Sequence, residues 1–292
     1  MKYIWGAFRS WDLKAVELKK KISSWRSLVL WLTIGGTVIA MLSQQLKEPL
    51  GQILAWLPKG FGVTSAVCLG LAGFFTREIL KPSTQSEQVR TRSAAEGLKT
   101  EAYLLAACAP PYDTATGSAV FAKAEKIGEA VNDLTPALLT DAEKLQGILP
   151  ENLTVDQYIA LRVDDQRNTY YIPQAKKNAA KVTVGQGISL TLGALAVVLG
   201  GLAIIWGSVS GWVTVIGTVV AAILAYQAAG RFQFLVVSYQ ATAARLERLK
   251  AEWEASGKTD ADKDERNKFI LQCEEAISIE NSAWMAEWTK TK

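Results

Sequence analysis

From Val182 to Gly230 the chain runs for 49 residues without one Asp, Glu, Lys or Arg. A soluble core helix rarely needs such a run, whereas each helix that crosses a bilayer needs about 20 apolar residues. The run is long enough for two crossings, and "GSVSG" at 207–211 supplies a minimal turn between them. Residues 27–46 and 60–76 are also uncharged, 20 and 17 residues long. The fold expected is therefore all-α, a polytopic membrane protein. Its four transmembrane helices form two hairpins, with spans near 27–46, 60–77, 184–206 and 211–230. The competing arrangement, two large core hairpins in a soluble protein, accounts poorly for charge-free runs this long. Residues 27–46 read as a span and not as a cleavable signal, because they are long for a signal core and lack a small-residue cleavage site.

Charge placement sets the expected orientation. Residues 1–26 carry seven Lys or Arg, 77–183 carry thirteen and 229–292 carry ten, while the two hairpin tips hold only Lys47 and Lys59. Positive residues collect on the cytoplasmic side of membrane proteins. Both termini and the middle segment are thus expected in the cytoplasm of a bacterial cell, with the spans in its inner membrane. Trp56, Trp206 and Trp212 fall at the expected outer boundary and Trp25 at the inner one, as an aromatic belt requires. The first connection, "KEPLGQILAWLPKG", has an apolar middle suited to the interface.

The two halves share a plan. Each has a basic approach, a hairpin, an Arg just past the second span (Arg77, Arg231) and an Ala-rich charged helical stretch. The divisions fall at 1–112, a connecting segment 113–153 with turns and short helices, and 154–292. In the first part a helix starts after Pro82-Ser83 and stops at "APPYD"; a short helix near 117–132 follows. Thr154 to Gln157 forms a capping box that starts a helix running toward the third span, with Pro173 a candidate kink. The stretch from Trp212 to Trp253 reads as one helix, in which 231–253 is a rigid extension of span four buried in a cytoplasmic helical bundle. The last helix carries Phe269, Ile270, Cys273, Ile277, Ile279 and Trp284 at mixed three- and four-residue spacing. After the polar turn 255–264 it is expected to fold back on the end of that extension.

No catalytic constellation emerges. The chain has no His, which removes the commonest acid–base and metal-binding side chain. It has no phosphate-binding G-x-x-x-x-G-K motif and no nucleophile elbow. "GQGISLTLG" at 185–193 sits in a charge-free span, where a phosphate would find no counter-charge. "DADKDE" at 260–265 lacks the glycine and bidentate glutamate of a calcium loop. The adjacent pairs Asp164-Asp165 and Glu274-Glu275 point to different helix faces. Cys68, Cys108 and Cys273 have no paired spacing and suit packing roles in a reducing compartment. The expectation is a non-enzyme without cofactor or metal. Nucleic acid is not an expected partner, since 77–183 balances thirteen bases against fourteen acids and 229–292 ten against eleven.

Within the spans, Gly62, Ala66 and Gly70, then Gly185, Ser189 and Gly193, then Gly217, Ala221, Ala225 and Ala229 recur every four residues. Such stripes let helices approach closely in lipid. They serve either the packing of the four helices or a subunit interface. The hydroxyls Thr33, Thr37, Thr64, Ser65, Ser189, Thr191, Thr214 and Thr218 are the candidate pore-lining groups. Without ionisable residues in the spans, an ion-coupled pump is disfavoured, while a channel built from hydroxyls, backbone and a hydrophobic gate is not. Four spans are too few to enclose a wide pore, so a pore requires a homo-oligomer.

"RSAAEGLKTEAYLLAACAPPYD" (92–113) and "YIALRVDDQRNTYYIPQAKKNAAK" (158–181) resemble the bacterial SLATT group of two-transmembrane domains associated with nucleotide-sensing conflict systems. "YQATAARLERLKAEW" (239–253) followed by "EEAISIENSAWMAEW" (274–288) is similar to the C-terminal part of the DUF4231 family. On this resemblance 1–112 is a first SLATT-like hairpin and 154–292 a second, SLATT/DUF4231-like one. The resemblance implies a pore-forming or membrane-perturbing effector in bacterial defence. The function expected is an oligomeric membrane channel whose cytoplasmic helices sense a small-molecule signal or a soluble partner. The alternative is a non-conducting membrane scaffold whose cytoplasmic bundle docks that partner.

Overall fold

The computed structural model describes residues 1–47, 56–113 and 118–289, with side chains over the same residues apart from Leu80, Pro82 and 280–289. The apolar middle of the first connection and the side chain of Trp284 lie outside the described residues. Every regular element described is helical. In chain order they are α1 (Lys2–Gln45), α2 (Trp56–Leu80), α3 (Pro82–Ala106), α4 (Ser118–Glu129), α5 (Asp141–Leu145), α6 (Val155–Tyr158), α7 (Ile172–Ala203), α8 (Ser210–Gly230), α9 (Phe232–Ser256) and α10 (Lys263–Thr289). Two π-helical segments, Ile159–Asp164 and Gln166–Tyr171, join α6 to α7, so helix runs on through Pro173. A 3-10 turn, Gly207–Val209, joins α7 to α8. Among the described residues four helices are long and apolar enough to cross a membrane.

The chain divides into two compact units. The apolar unit comprises 20–81 and 177–234, which hold all four spans. Its first hairpin closes where backbones approach. A Cβ on Gly36 would come within 2.9 Å of Leu69 Cγ, and the Ser65 hydroxyl donates to the Gly36 carbonyl at 2.7 Å. At the other end the Ser43 hydroxyl donates to the Pro58 carbonyl at 2.7 Å. The Gln227 side chain spans α8 to α7, donating to the carbonyls of Lys181 and Val182 at 3.2 Å each, and it occupies the space beside Gly185.

The expected rigid helix from Trp212 to Trp253 is interrupted. Arg231 adopts a left-handed conformation, φ 48° and ψ 34°, which ends α8, and a new helix starts at Phe232. The Arg231 N–H closes on the Ala228 carbonyl at 3.0 Å. The Phe232 ring folds back into the space above Gly230, 5.5 Å from the Tyr226 ring, with Lys181 Nζ 4.6 Å from its centroid. A side chain at 230 would block that ring, so Gly230 acts at a helix terminus and not as an interior residue. Of the apolar "FQFLVV" stretch, Phe232 alone is buried, by folding back, while Val237 stays exposed.

The charged unit comprises 1–19, 82–176 and 235–292. Its core gathers Ile4, Trp5 and Phe8 of α1, Leu98, Ala102 and Tyr103 of α3, Tyr158 and Val163 after the α6 start, Leu246 and Leu249 of α9, and Phe269, Ile270, Cys273 and Ile277 of α10. The expected capping box is present: the Thr154 hydroxyl accepts from Gln157 N–H, and Gln157 Oε1 accepts from Thr154 N–H at 3.1 Å. The Val155 N–H at this same helix start donates to the Asp260 carboxylate at 3.0 Å. α10 folds back on α9 as its periodicity requires, with the Trp253 and Phe269 rings stacked 5.2 Å apart. Ile279 departs from the expected buried face and is exposed. It follows buried Ile277 by two residues, which on a helix is nearly the opposite side.

Candidate functional site

The centre of the charged unit holds a fully buried ion pair. Arg162 is 0% exposed and Glu274 3%. Arg162 Nε and an Nη donate to the two Glu274 oxygens at 2.8 and 2.7 Å, a bidentate fork. The Tyr158 hydroxyl donates to Glu274 at 3.0 Å and the Thr100 hydroxyl at 2.9 Å, so the carboxylate accepts four hydrogen bonds. The guanidinium lies 4.7 Å over the Tyr103 ring, whose hydroxyl donates to the Leu161 carbonyl at 2.8 Å. Burial alone would push the Arg162 guanidinium down; the Glu274 carboxylate overcomes this and holds it above its ordinary value. Burial pushes the Tyr103 hydroxyl up to about 12 and raises that of Tyr158 well above its ordinary value.

Around the pair lie more titratable groups. Burial raises Asp12 above the usual carboxylate value, with Glu96 adding to the effect, and burial pulls Lys99 down, with Arg162 adding to it. One Arg162 Nη and one Glu96 Oε are buried without a hydrogen-bond partner. A groove of about 530 Å³ opens beside this cluster, with Glu96, Thr100, Lys123, Lys126 and Ile277 on its walls. Arginine at this depth appears where the helix winding is π-helical (Ile159–Asp164), a form that concentrates at functional sites.

No sequence motif marks this cluster. Glu274 and Glu275 do point to different helix faces: Glu275 faces Arg245 at 3.7 Å and Glu274 faces inward to Arg162. The signal lay in register: Glu274 is four residues from Ile270 and next to Cys273, on the apolar face of α10. Arg162 likewise is four residues after Tyr158.

The candidate pore-lining hydroxyls are placed differently from one another. Thr33, Thr37, Thr64, Thr191 and Thr218 each donate to the carbonyl four residues earlier in their own helix, at 2.7–3.0 Å. Ser65 bonds across the first hairpin. Thr214 is exposed, and Ser189 Oγ is buried without a partner. The small-residue stripes also divide. Gly185 meets Gln227 and Gly62 has Ser43 Oγ 3.5 Å from where its Cβ would be, whereas Gly70, Gly193 and Gly217 face nothing within 4 Å. Ala66 is exposed, and Ala221, Ala225 and Ala229 line a groove.

α7 is the least covered span: 6% of its apolar window is buried in the chain, against 11–17% for the others. At 100° per residue, Thr183, Gly187, Thr191, Ala194, Val198 and Gly201 fall on one arc of it, small or hydroxyl-bearing at every position but one. The flanking arc carries Val184, Ile188 and Leu195, all exposed. Among the described residues no cluster of His, Cys, Asp or Glu is placed to hold a metal ion, and the three cysteines are free.

Residues 9–119 match the family model of DUF4231, a protein family of unknown function. Residues 158–284 match the model of SMODS and SLOG-associating 2TM effector domain 1. The stretch 92–113 thus lies in the DUF4231 match, and both 158–181 and 239–253 lie in the effector match. No curated protein and no solved structure matches the chain. Arg162 and Glu274 belong to the effector match, and Asp12, Glu96, Lys99 and Thr100 to the DUF4231 match, so the buried cluster is assembled from both.

Proposed function

We propose that this chain, which carries a DUF4231 domain and a SMODS and SLOG-associating 2TM effector domain in tandem, works as an oligomeric membrane channel. The observation that carries the reading is the arc of α7 from Thr183 to Gly201. In a single chain it is exposed, and apart from Val198 it is small or hydroxyl-bearing where lipid would favour bulky apolar groups. In a homo-oligomer of the inner membrane, with both termini cytoplasmic, these arcs face a shared pathway. Hydroxyls satisfied within their own helix still present a lone pair and a narrow, smooth wall to a passing ion. The protein is not an enzyme on this reading. A soluble signal or partner engages the charged unit, and the groove at Lys123 and Lys126 is suited to it. Purified protein in liposomes tests the reading by ion flux. Gly187→Leu, which narrows the arc, is expected to abolish flux while leaving oligomer size unchanged. Equal flux from Gly187→Leu and wild type would overturn the assignment of α7.

A second reading, a non-conducting scaffold, draws support from the back-bonding of five of the eight hydroxyls and from the uncharged spans. A stable co-purifying soluble partner with no flux under any condition is the result it expects.

A further inference from the structure

Two π-helical segments in a row lead into α7, and they arise for different reasons. The second, Gln166–Tyr171, comes just before Pro173. That proline has no N–H to give, and in α winding its ring would meet the Thr169 carbonyl. A wider turn relieves the clash, and the Ile172 N–H donates to the Arg167 carbonyl, five residues back. The first segment, Ile159–Asp164, has no such cause in its own sequence. "IALRVD" includes the good α-helix formers Ala, Leu and Arg and has no Gly or Pro.

Its winding is imposed by its neighbours. The Tyr103 hydroxyl of α3 donates to the Leu161 carbonyl at 2.8 Å. Glu274 of α10 holds Arg162 by two hydrogen bonds, and Lys250 of α9 holds Asp164 at 2.8 Å. Three helices thus grip six residues whose local preference is α. A π turn takes up one residue more than an α turn. Its relaxation to α winding turns every later residue by about 100° and advances it by about 1.5 Å relative to α6. Each place held by a residue of α7 then passes to the residue before it. The places of Gly187 and Thr191 pass to Gln186 and Leu190, which puts two long side chains into the small arc. A second hold lies further along α7. The Gln227 amide bonds the Lys181 and Val182 carbonyls and fills the space beside Gly185. In the relaxed register Val184 takes the place of Gly185, so Gln227 must leave before α7 turns.

We infer that Ile159–Asp164 is a register switch: held π-helical by Tyr103, Glu274 and Lys250, it returns to α winding when they let go, and α7 turns by one residue. Its effect on flux rests on the reading of α7 as the wall of the pathway. On that reading the present register is the open one and the relaxed register closes it.

The test uses the full chain in liposomes, with Cys68→Ser and Cys108→Ser and buried Cys273 kept. Gln227→Cys releases the second hold and is paired with either Gly185→Cys or Val184→Cys. Gln227 Cγ lies 3.5 Å from where a Cβ on Gly185 would be, within reach of a disulfide. Under mild oxidant, mass spectrometry reads the 185–227 disulfide as the present register and the 184–227 disulfide as the relaxed one. Adding Tyr103→Phe is expected to raise the 184–227 yield about fivefold, the effect of one hydrogen bond. Deletion of exposed Ala160 removes the extra residue, so α winding then keeps the present register. It is expected to bring the 184–227 yield to background and to keep the 185–227 yield. An unchanged 184–227 yield with Tyr103→Phe overturns the inference, as does a yield in the Ala160 deletion equal to that of the undeleted chain. Should the deletion fail to fold, Tyr103→Phe decides. Flux separates this inference from the assignment of α7: the 184–227 disulfide is expected to stop flux and the 185–227 disulfide to leave it. Disulfides that follow the expected pattern while neither alters flux support the switch and overturn the pathway assignment.

Discussion

Replacing Arg162 by Met leaves Glu274 as an unpaired carboxylate at the centre of the charged unit. The pair is side-chain buried to 0% and 4% exposure, and both Glu274 oxygens are committed. Removing one partner of such a pair costs about 3–5 kcal/mol, since the remaining charge has no water to return to. Glu274→Leu alone strands the guanidinium and carries a cost of the same order. The double variant removes both charges. It gives up the acceptor of the Tyr158 and Thr100 hydroxyls, about 1 kcal/mol each. Thr100 can turn to the carbonyl of Glu96 in its own helix, and Tyr158 already lies 3.5 Å from the Ile270 carbonyl. The double variant therefore falls within about 2 kcal/mol of wild type, and the two single costs do not add. Hydrogen exchange of the α10 amides from Ile270 to Ile277 reads this locally. About 3 kcal/mol corresponds to a loss of protection of roughly a hundredfold, because 1.4 kcal/mol is tenfold. Each single variant should lose at least that much, and the double should recover most of it. A double variant whose loss equals the sum of the singles would refute the claim that the pair is one buried unit.

Three further outcomes follow from other parts of the molecule. Asp12 has a folded value above 3.8, so its favourable contribution is full below that pH and is lost as pH rises through the folded value; Asp12→Asn should stabilise the charged unit at pH 7 and make no difference below about pH 3.8, measured by urea unfolding at both pH values. Arg231→Val should be less stable than Arg231→Asn by about 1–2 kcal/mol in detergent, because both lose the charge but only the β-branched residue resists a left-handed backbone. Gly36→Val should loosen the first hairpin by about 1–3 kcal/mol, as the added methyls meet Leu69, and limited proteolysis between the first two spans reads the effect.

The spans were legible because a charge-free run of bilayer length has few other uses. The capping box at Thr154 and the return of α10 on α9 were legible for a similar reason: each is a local pattern with one geometric solution. The break at Arg231 was not, because arginine is a good helix former and the left-handed turn is set by Phe232 packing over Gly230, a tertiary contact. The buried cluster was hidden for a different reason. Arg162 and Glu274 are charged residues on apolar helix faces 112 positions apart in sequence, and each alone reads as a surface residue. Only the fold brings them together with Thr100 and Tyr158. The division of the small-residue stripes was equally out of reach, since spacing shows that a helix can be approached and not which face is.

Cysteine accessibility along α7 tests the central claim most directly. In a background with Cys68→Ser and Cys108→Ser, and with buried Cys273 left in place, cysteines are introduced one at a time at Gly187, Thr191 and Ala194 and at Val184, Ile188 and Leu195. Membrane-impermeant thiol reagent is applied to active protein in liposomes while flux is recorded. Modification and block are expected at the first three positions and none at the other three. Uniform silence at all six, or reaction that follows depth and ignores the face, would contradict it.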